Sequence, residues 1–428
     1  MLTAEKLISF ELPETTQGLT LTTDQRNALQ SFYEFMLDPS RQVWVLSGYS
    51  GCGKSTLVRT IIDMLPRFMK TIALIQVDLP HYELEVTATT NKAAENLARI
   101  LNMDVSTIHS FLGLRVVPVN VATGETRLEL KNHEMVTNTL LFCDEASFID
   151  WTLLSVILSK LDPRNTKIVF VGDPAQLVQP KSSGTPVFSS GYSGAALTQV
   201  VRQANAETNP IVDLSTQFRH TVNTGVWPQF KPDGHHIKWL GNEEFKAAIL
   251  EEFGRPDWRY HDSKVLGFTN DFVIAANHYI RNHVEGSPNL EVGDYAVCNS
   301  FVQVGRASIK TDQLVEITGI ENEERLGVMG KVYEIDGKFK AFMPISVEAK
   351  NARIKLARSR NELGVLHQID QSWIDLRAAY AQTINKSQGS TYDKVFIDLD
   401  NVSRCHVGDQ IARMMYVGVS RARSQVIF

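Results

Sequence analysis

The sequence predicts an α/β protein of two parallel-sheet domains, with a small all-β segment inserted into the second. Three observations carry this. First, the apolar runs "QVWVLSG", "ELEVTATT", "TLLFCDEAS" and "KIVFVGDPAQL" alternate with helix-like stretches between residues 19 and 195. Strands separated by helices make a parallel sheet, which takes its ligands at the strand C-terminal ends. Second, a like pattern begins near "ALTQVVRQ", continues in "SKVLGFTNDFVIAANHYIRNHV", and resumes in "LRAAYAQTINKSQGSTYDKVFIDL" and "RMMYVGVSRARSQVIF". Third, the interval 287–376 holds short strands with turn signals, Asp336-Gly337 being the clearest, and then the basic helical stretch "EAKNARIKLARSRNEL". The expected divisions are an N-terminal extension over 1–18, a first domain over 19–195, a second domain in two parts (196–286 and 377–428), and an inserted β-barrel with a helical elaboration over 287–376.

Bulk composition agrees with this. A chain of 428 residues exceeds one ordinary core. With 43% hydrophobic and 21% charged residues it reads as soluble and globular. The net charge of −5 argues against a uniformly basic coat, while a local basic groove is compatible with it. The four cysteines, 52, 143, 298 and 405, contain no C-x-x-C, so neither a disulfide framework nor a zinc site is expected. The start lacks the basic and apolar regions of a signal peptide, and no apolar stretch is long enough to span a bilayer. A cytoplasmic protein with no membrane partner is expected.

In order along the chain, "LTTDQRNALQSFYEFML" (21–37) predicts a helix capped by Thr22 or Thr23, with Leu29, Phe32, Tyr33 and Met36 on one face. "STLVRTIIDML" predicts a second helix ending near Pro66. In "RVVPVNVATGETRLEL", Val117, Val119 and Val121 alternate before Thr123-Gly124, and Leu128 and Leu130 alternate after it. That pattern predicts a β-hairpin over 115–131 protruding from the first domain.

The chemistry begins at "SGYSGCGKST", which fits G-x-x-x-x-G-K-[ST] between an apolar strand and a helix. Such a loop cradles a nucleoside triphosphate with its amides. Gly48, Gly51, Gly53, Lys54, Ser55 and Thr56 form the expected set, Lys54 reaching the β/γ-phosphates and Ser55 ligating Mg²⁺. Asp144 and Glu145 end an apolar strand; the first suits Mg²⁺ and the second suits polarising the attacking water. Gln176, in "GDPAQL", suits sensing the γ-phosphate or orienting water. Arg202 and Arg421 lie outside the first domain and offer guanidinium forks to a transferring phosphoryl group. Gln25 can pair both a donor and an acceptor on an adenine edge. Thr87, Thr90 and Asn91 in "TATTNKAAENL", and His109 in "STIHSFLGL", sit where strands give way to loops or helices, positions suited to phosphodiesters.

Taken in order, these motifs, with "LTTDQRNAL", "LTQVVRQ", "LGFTNDFVIAAN", "TINKSQGSTYDKVFID" and "MMYVGVSRAR", resemble superfamily 1 DNA helicases of the RecD and Dda branch, over about residues 20–428. The resemblance implies two RecA-like domains, the hairpin as a wedge that splits the duplex, and an SH3-like barrel inserted in the second domain. It implies that Gln25 selects adenine, that Lys54, Ser55, Asp144 and Glu145 run hydrolysis, that Gln176 couples, and that Arg202 and Arg421 are arginine fingers. Thr87, Thr90, Thr383, Ser387 and Gln388 would lie along the single strand or at the domain junction. The implied cofactors are ATP and Mg²⁺. The implied partners are single-stranded and forked duplex DNA, with a single-strand-binding protein or replisome component besides. A monomer moving 5′ to 3′ in replication, recombination or repair is implied, in the host cytoplasm if the chain is phage-encoded. Departures from the pattern are Tyr49 and Cys52 in the loop, Thr89 in place of the usual Pro, Asn91 where relatives can carry a stacking His, and Ser420 in place of a usual Thr. Three other readings share the motifs: a single-strand translocase without real unwinding, an RNA helicase, and a non-motor subunit that keeps ATP as a structural switch.

Overall fold

The computed structural model describes residues 15–16, 19–75, 80–120, 125–130, 134–178, 184–199, 209–304 and 307–428. The chain divides into two compact units, Met1–Asn209 and Pro210–Phe428. The first helix of the first unit, Thr23–Leu37, takes Thr22 as its N-cap. Thr22 Oγ1 accepts from Gln25 N at 3.2 Å and Gln25 Oε1 accepts from Thr22 N at 3.0 Å, a complete capping box. Leu29, Phe32, Tyr33 and Met36 are all buried, as their spacing requires. Phe32 meets Trp44 edge-on at 5.7 Å and Tyr33 stacks on Phe68 at 4.2 Å. The helix is thereby fixed to the strand before the glycine loop and to the helix after it.

That second helix, Lys54–Ile75, runs through Pro66 instead of ending there. An interior proline removes one N–H bond and costs about 3 kcal/mol. Leu65, Phe68 and Ile72, all buried in the core of the first unit, each contribute ~1.5–3 kcal/mol, which outweighs it.

The sheet of the first unit has six strands, in the order Gly194–Leu197, Val43–Gly48, Thr166–Gly172, Thr139–Asp144, Glu83–Ala88 and Ser106–Thr107. All neighbours are parallel. Its central strands are buried along nearly their whole length, which is why they read as continuous apolar runs. Gly194–Leu197, expected near the start of the second domain, instead pairs with Val45–Gly48 as an edge strand of this sheet. The strands Leu114–Asn120 and Glu125–Leu130 form the expected antiparallel ribbon, Leu114 opposite Leu130 and Pro118 opposite Thr126. Its first residue, Leu114, is buried in the core of the first unit, which anchors the base. Residues 121–124, the expected turn, lie outside the described residues.

The second unit holds a five-stranded parallel sheet, in the order Ile237–Lys238, Ala422–Ile427, Tyr392–Ile397, Ser263–Gly267 and Ala381–Thr383. Within 287–376 the chain makes a different, antiparallel sheet, in the order Phe339–Pro344, Val328–Ile335, Leu314–Arg325, Tyr295–Cys298 and Leu376–Ala378. The Asp336-Gly337 turn is present, both residues taking positive φ, 50° and 65°. The basic stretch forms the helix Val347–Ser359. A buried asparagine of the helix Asn270–Val284 holds the start of the strand Ala381–Thr383: Asn277 Oδ1 accepts from Tyr380 N and Ala381 N at 3.0 and 2.9 Å, and its Nδ2 donates to Ala381 O at 3.1 Å. No helix among the described residues is long and apolar enough to cross a membrane.

Candidate functional site

Parallel pairing brings the chemistry of the first unit to one edge. Ala88 is in register with Asp144, Cys143 with Phe170, and Ser47 with Gly172. The glycine loop, Asp144–Glu145, Asp173–Gln176 and Thr89–Thr90 therefore all leave the sheet on its C-terminal side. In the loop, Gly51 and Gly53 take φ of 84° and 77°, a conformation that side chains resist. A Cβ on Gly53 would lie 2.4 Å from Gln25 Nε2, so a side chain there would also displace the Gln25 amide. Lys54 Nζ donates to Gly48 O at 2.7 Å and Tyr49 O at 3.0 Å, closing the loop on itself. A glycine cradle of this kind, with a lysine at its mouth and Ser55 and Thr56 starting the helix, fits a polyphosphate.

Gln25 is buried, and both ends of its amide are engaged: Oε1 in the capping box, Nε2 donating to Cys52 O at 3.3 Å. Beyond these bonds Oε1 has a second lone pair and Nε2 a second N–H. Asp144 accepts from Glu145 N at 2.8 Å. Burial raises its carboxyl pKa, while the Glu145 amide and the Lys54 charge pull the other way. Glu145 takes φ 54°, a strained conformation for a side chain of its kind, and it turns the chain into the helical turn Ala146–Phe148. Thr89 pins that turn: its N donates to Asp144 O at 3.2 Å and its Oγ1 to Glu145 O at 3.1 Å. The proline usual in the family has neither donor, and no sequence pattern marked Thr89 for this role. Asp173 is fully buried, accepts from Ala175 N at 2.9 Å, and holds Gln176 through an Nε2 contact of 3.5 Å.

The expected nucleic-acid contacts divide sharply. Thr87 is fully buried, its hydroxyl donating to Phe142 O at 2.8 Å, because its position in Glu83–Ala88 turns it into the sheet; it cannot face a strand. Thr90 caps the helix Asn91–Leu101, accepting from Ala93 N at 3.2 Å, and both Thr90 and Asn91 are partly exposed. His109 is half-buried; burial lowers its imidazole pKa and Asp150 only partly opposes this, which favours the neutral ring. In the second unit Thr383 caps the short helix Ile384–Ser387, accepting from Lys386 N at 3.3 Å. Ser387, expected along the single strand or at the domain junction, is buried with its hydroxyl on Ile384 O at 2.6 Å; Gln388 is buried beside it. Lys386, which no pattern singled out, donates to Asn299 Oδ1 at 2.6 Å and Asp312 Oδ1 at 2.7 Å, tying this motif to the inserted segment.

Arg421 is only 3% exposed. Its Nε donates to Val417 O at 3.0 Å, Nη1 to Ser390 O at 3.1 Å and Nη2 to Ser420 Oγ at 2.8 Å, so Ser420 serves where a threonine is usual. Arg202 lies outside the described residues.

Comparison with known proteins gives these motifs a context. The family described as an AAA domain matches residues 20–222, and the UvrD-like helicase C-terminal domain matches residues 378–428. The ATP-dependent DNA helicase dda of Enterobacteria phage T4 is 24% identical, over 95% of this chain and 99% of that protein. The RecBCD enzyme subunit RecD of Buchnera aphidicola is 29% identical, over 51% of this chain and 38% of that protein. Among solved structures, Pif1 helicase in a study of unwinding at forked double-stranded DNA has a TM-score of 0.55 at 18% identity, covering 96% of this chain and 92% of that one. Pif1 helicase from Bacteroides, in complex with ADP-AlF3 and single-stranded DNA, has a TM-score of 0.52 at 17% identity with the same coverage. The solved structures share the fold, and the similarity to the phage helicase runs along nearly the full chain. Sequence order, parallel-sheet geometry and relatives thus agree: the chain is similar to the superfamily 1 DNA helicases of the RecD and Dda group.

Proposed function

We propose that the protein hydrolyses ATP to move 5′ to 3′ along single-stranded DNA and separates duplex DNA at a fork, in phage DNA replication, recombination or repair. The observation that carries unwinding, beyond translocation, is the antiparallel ribbon Leu114–Asn120/Glu125–Leu130, rooted at Leu114 in the core of the ATP-binding unit. An isolated two-stranded ribbon is marginal in water, so an anchored base is what lets it act as a wedge. The antiparallel sheet of the inserted segment is read as an SH3-like barrel that supports strand separation.

In this reading Lys54 neutralises the β/γ-phosphates, Ser55 and Asp144 hold Mg²⁺, Glu145 polarises the attacking water, and Gln176 follows the γ-phosphate. Mg²⁺ bound there would screen the phosphate charge. Arg421 and Arg202 act as fingers, and Arg421 exchanges its present carbonyl partners for phosphoryl oxygens when it does so. The partly exposed Thr90, Asn91 and His109 contact the strand; Thr383 and Gln388 support it from the second unit. The deciding experiment is unwinding of forked DNA bearing a single-strand tail on only the 5′ or only the 3′ side. Unwinding dependent on a 5′ tail is expected. A 3′ requirement would overturn the polarity, and ATP-driven movement with no strand separation would overturn the helicase reading.

A further inference from the structure

Two consecutive side chains in the first turn of the helix Thr23–Leu37 reach the glycine loop and the strand end packed against it. Gln25 reaches the loop, where its Nε2 donates to Cys52 O at 3.3 Å. Asp24 holds the strand end. Its Oδ2 accepts from Thr198 N at 2.8 Å, Thr198 Oγ1 at 2.7 Å and Gln199 N at 3.2 Å. These bonds span 174 or 175 positions of sequence. An acidic residue in a first helical turn is ordinary because the helix dipole favours it, but that alone leaves the carboxylate in solvent. Here it gathers three donors from another element.

Thr198 follows directly on the strand Gly194–Leu197, whose last residue is in register with Gly48. Leu197 O accepts from Tyr49 N at 3.4 Å. A Cβ on Gly48 would lie 2.9 Å from Leu197 Cβ, so the strand end is pressed against the first residue of the loop. Gly48 O and Tyr49 O are in turn the acceptors for Lys54 Nζ. A shift at Thr198 therefore passes through Leu197 to the carbonyls that seat the lysine. The Thr198 amide, chiefly, holds the Asp24 carboxyl below its ordinary pKa and keeps it ionised at neutral pH.

We propose that Asp24 is a positioning residue for nucleotide binding: Gln25 holds the phosphate loop directly, Asp24 holds the strand end packed against the first residue of the loop, and together they keep the loop shaped for phosphate before nucleotide arrives. The proposal rests on the reading of this loop as the ATP site. Nucleotide affinity then depends on a carboxylate that touches no phosphate.

The test compares Asp24→Ala, Asp24→Asn, Thr198→Val and the double variant Asp24→Ala/Thr198→Val in the full chain. It measures the Kd of a fluorescent ADP, the KM and kcat of the DNA-stimulated ATPase, and the melting temperature. Loss of a charge-assisted contact predicts that Asp24→Ala weakens ADP binding and raises the KM for ATP by about tenfold. kcat is expected to stay within about threefold, since the group meets ground and transition states alike. Asp24→Asn, whose carboxamide oxygen still accepts, should recover part of the affinity. Thr198→Val should show a smaller loss of the same kind and add nothing to Asp24→Ala, because the one bond it removes is among the three that Asp24→Ala removes. If Asp24→Ala does not fold, the Thr198→Val affinity alone decides. ADP affinity and KM within about twofold of the parent in both Asp24→Ala and Thr198→Val, or a loss that only tracks melting temperature, would overturn the proposal. Lys54→Ala run in parallel separates the two levels: if it leaves ADP binding unchanged, the loop is not the nucleotide site and the underlying reading has failed instead.

Discussion

At the scale of single residues, the loop and the acidic pair make separable predictions. Lys54 is placed on the loop carbonyls at 2.7 and 3.0 Å, ready to turn to a phosphate. Lys54→Ala should nearly abolish ATP hydrolysis, read as steady-state phosphate release. Glu145 leaves the strand in a strained turn held by Thr89, and its carboxylate is the group assigned to the water. Glu145→Gln should keep nucleotide binding and block turnover, trapping a long-lived complex on single-stranded DNA; wild-type turnover would remove the water-polarising role. Arg421→Ala should lower DNA-stimulated turnover by about 10³-fold, roughly 4 kcal/mol of transition-state stabilisation, with far less effect on ADP affinity. Because Arg421 also bonds Val417 O and Ser390 O, the same variant should be checked for folding by its melting curve, and Arg421→Lys should keep the fold without restoring turnover.

At the scale of elements, the C-terminal end of the first helix is held by a buried lysine. Lys167 Nζ donates to Phe35 O, Asp38 O and Arg41 O at 2.9, 2.8 and 2.7 Å. Burial pulls its pKa down to about 8, from an ordinary value of 10.5. Because the folded state releases this proton more readily than the unfolded chain, the unfolded state binds more protons between those values. Stability contributed at this site therefore rises with pH from about 8 to 10.5, by up to about 1.4 kcal/mol per pH unit. Lys167→Met lacks the titration and leaves the three carbonyls without it. Its deficit in urea unfolding, measured against wild type, should grow as pH rises through this window; a constant deficit would contradict the low pKa. The hairpin makes the second prediction at this scale. Replacing Pro118–Leu130 by a short Gly-Ser link removes the ribbon and none of the residues assigned to ATP. DNA-stimulated ATPase and translocation should survive while unwinding of forked DNA drops by an order of magnitude or more. Unwinding at the parental rate would place strand separation elsewhere.

At the scale of the whole molecule, a net charge of −5 must coexist with binding to a polyanion. If the track is a local phosphate-lined groove, affinity for single strands should fall steeply with salt despite the acidic total. A flat response between low and physiological ionic strength would contradict it. The sequence by itself determined the phosphate loop, the parallel order of strands and the acidic pair. Each of these is written in neighbouring residues: the glycines that permit the φ of 84° and 77°, the apolar runs that must be buried on both faces, and the carboxylates at a strand end. Tertiary structure alone decided which polar groups face outward. Thr87 and Thr90 look equivalent in "TATT", yet one bonds Phe142 O inside the sheet and the other caps a partly exposed helix. Pro66 looked like a helix end, but the core beneath it outweighed the lost bond. No sequence pattern gave Asp24, Thr89 or Lys167 the partners that the fold brings to them: Thr198, Glu145 and the C-terminal end of the helix Thr23–Leu37. Backbone geometry and hydrophobic period are local properties, whereas burial and hydrogen-bond partnership depend on residues far away in the chain, which only the fold brings together.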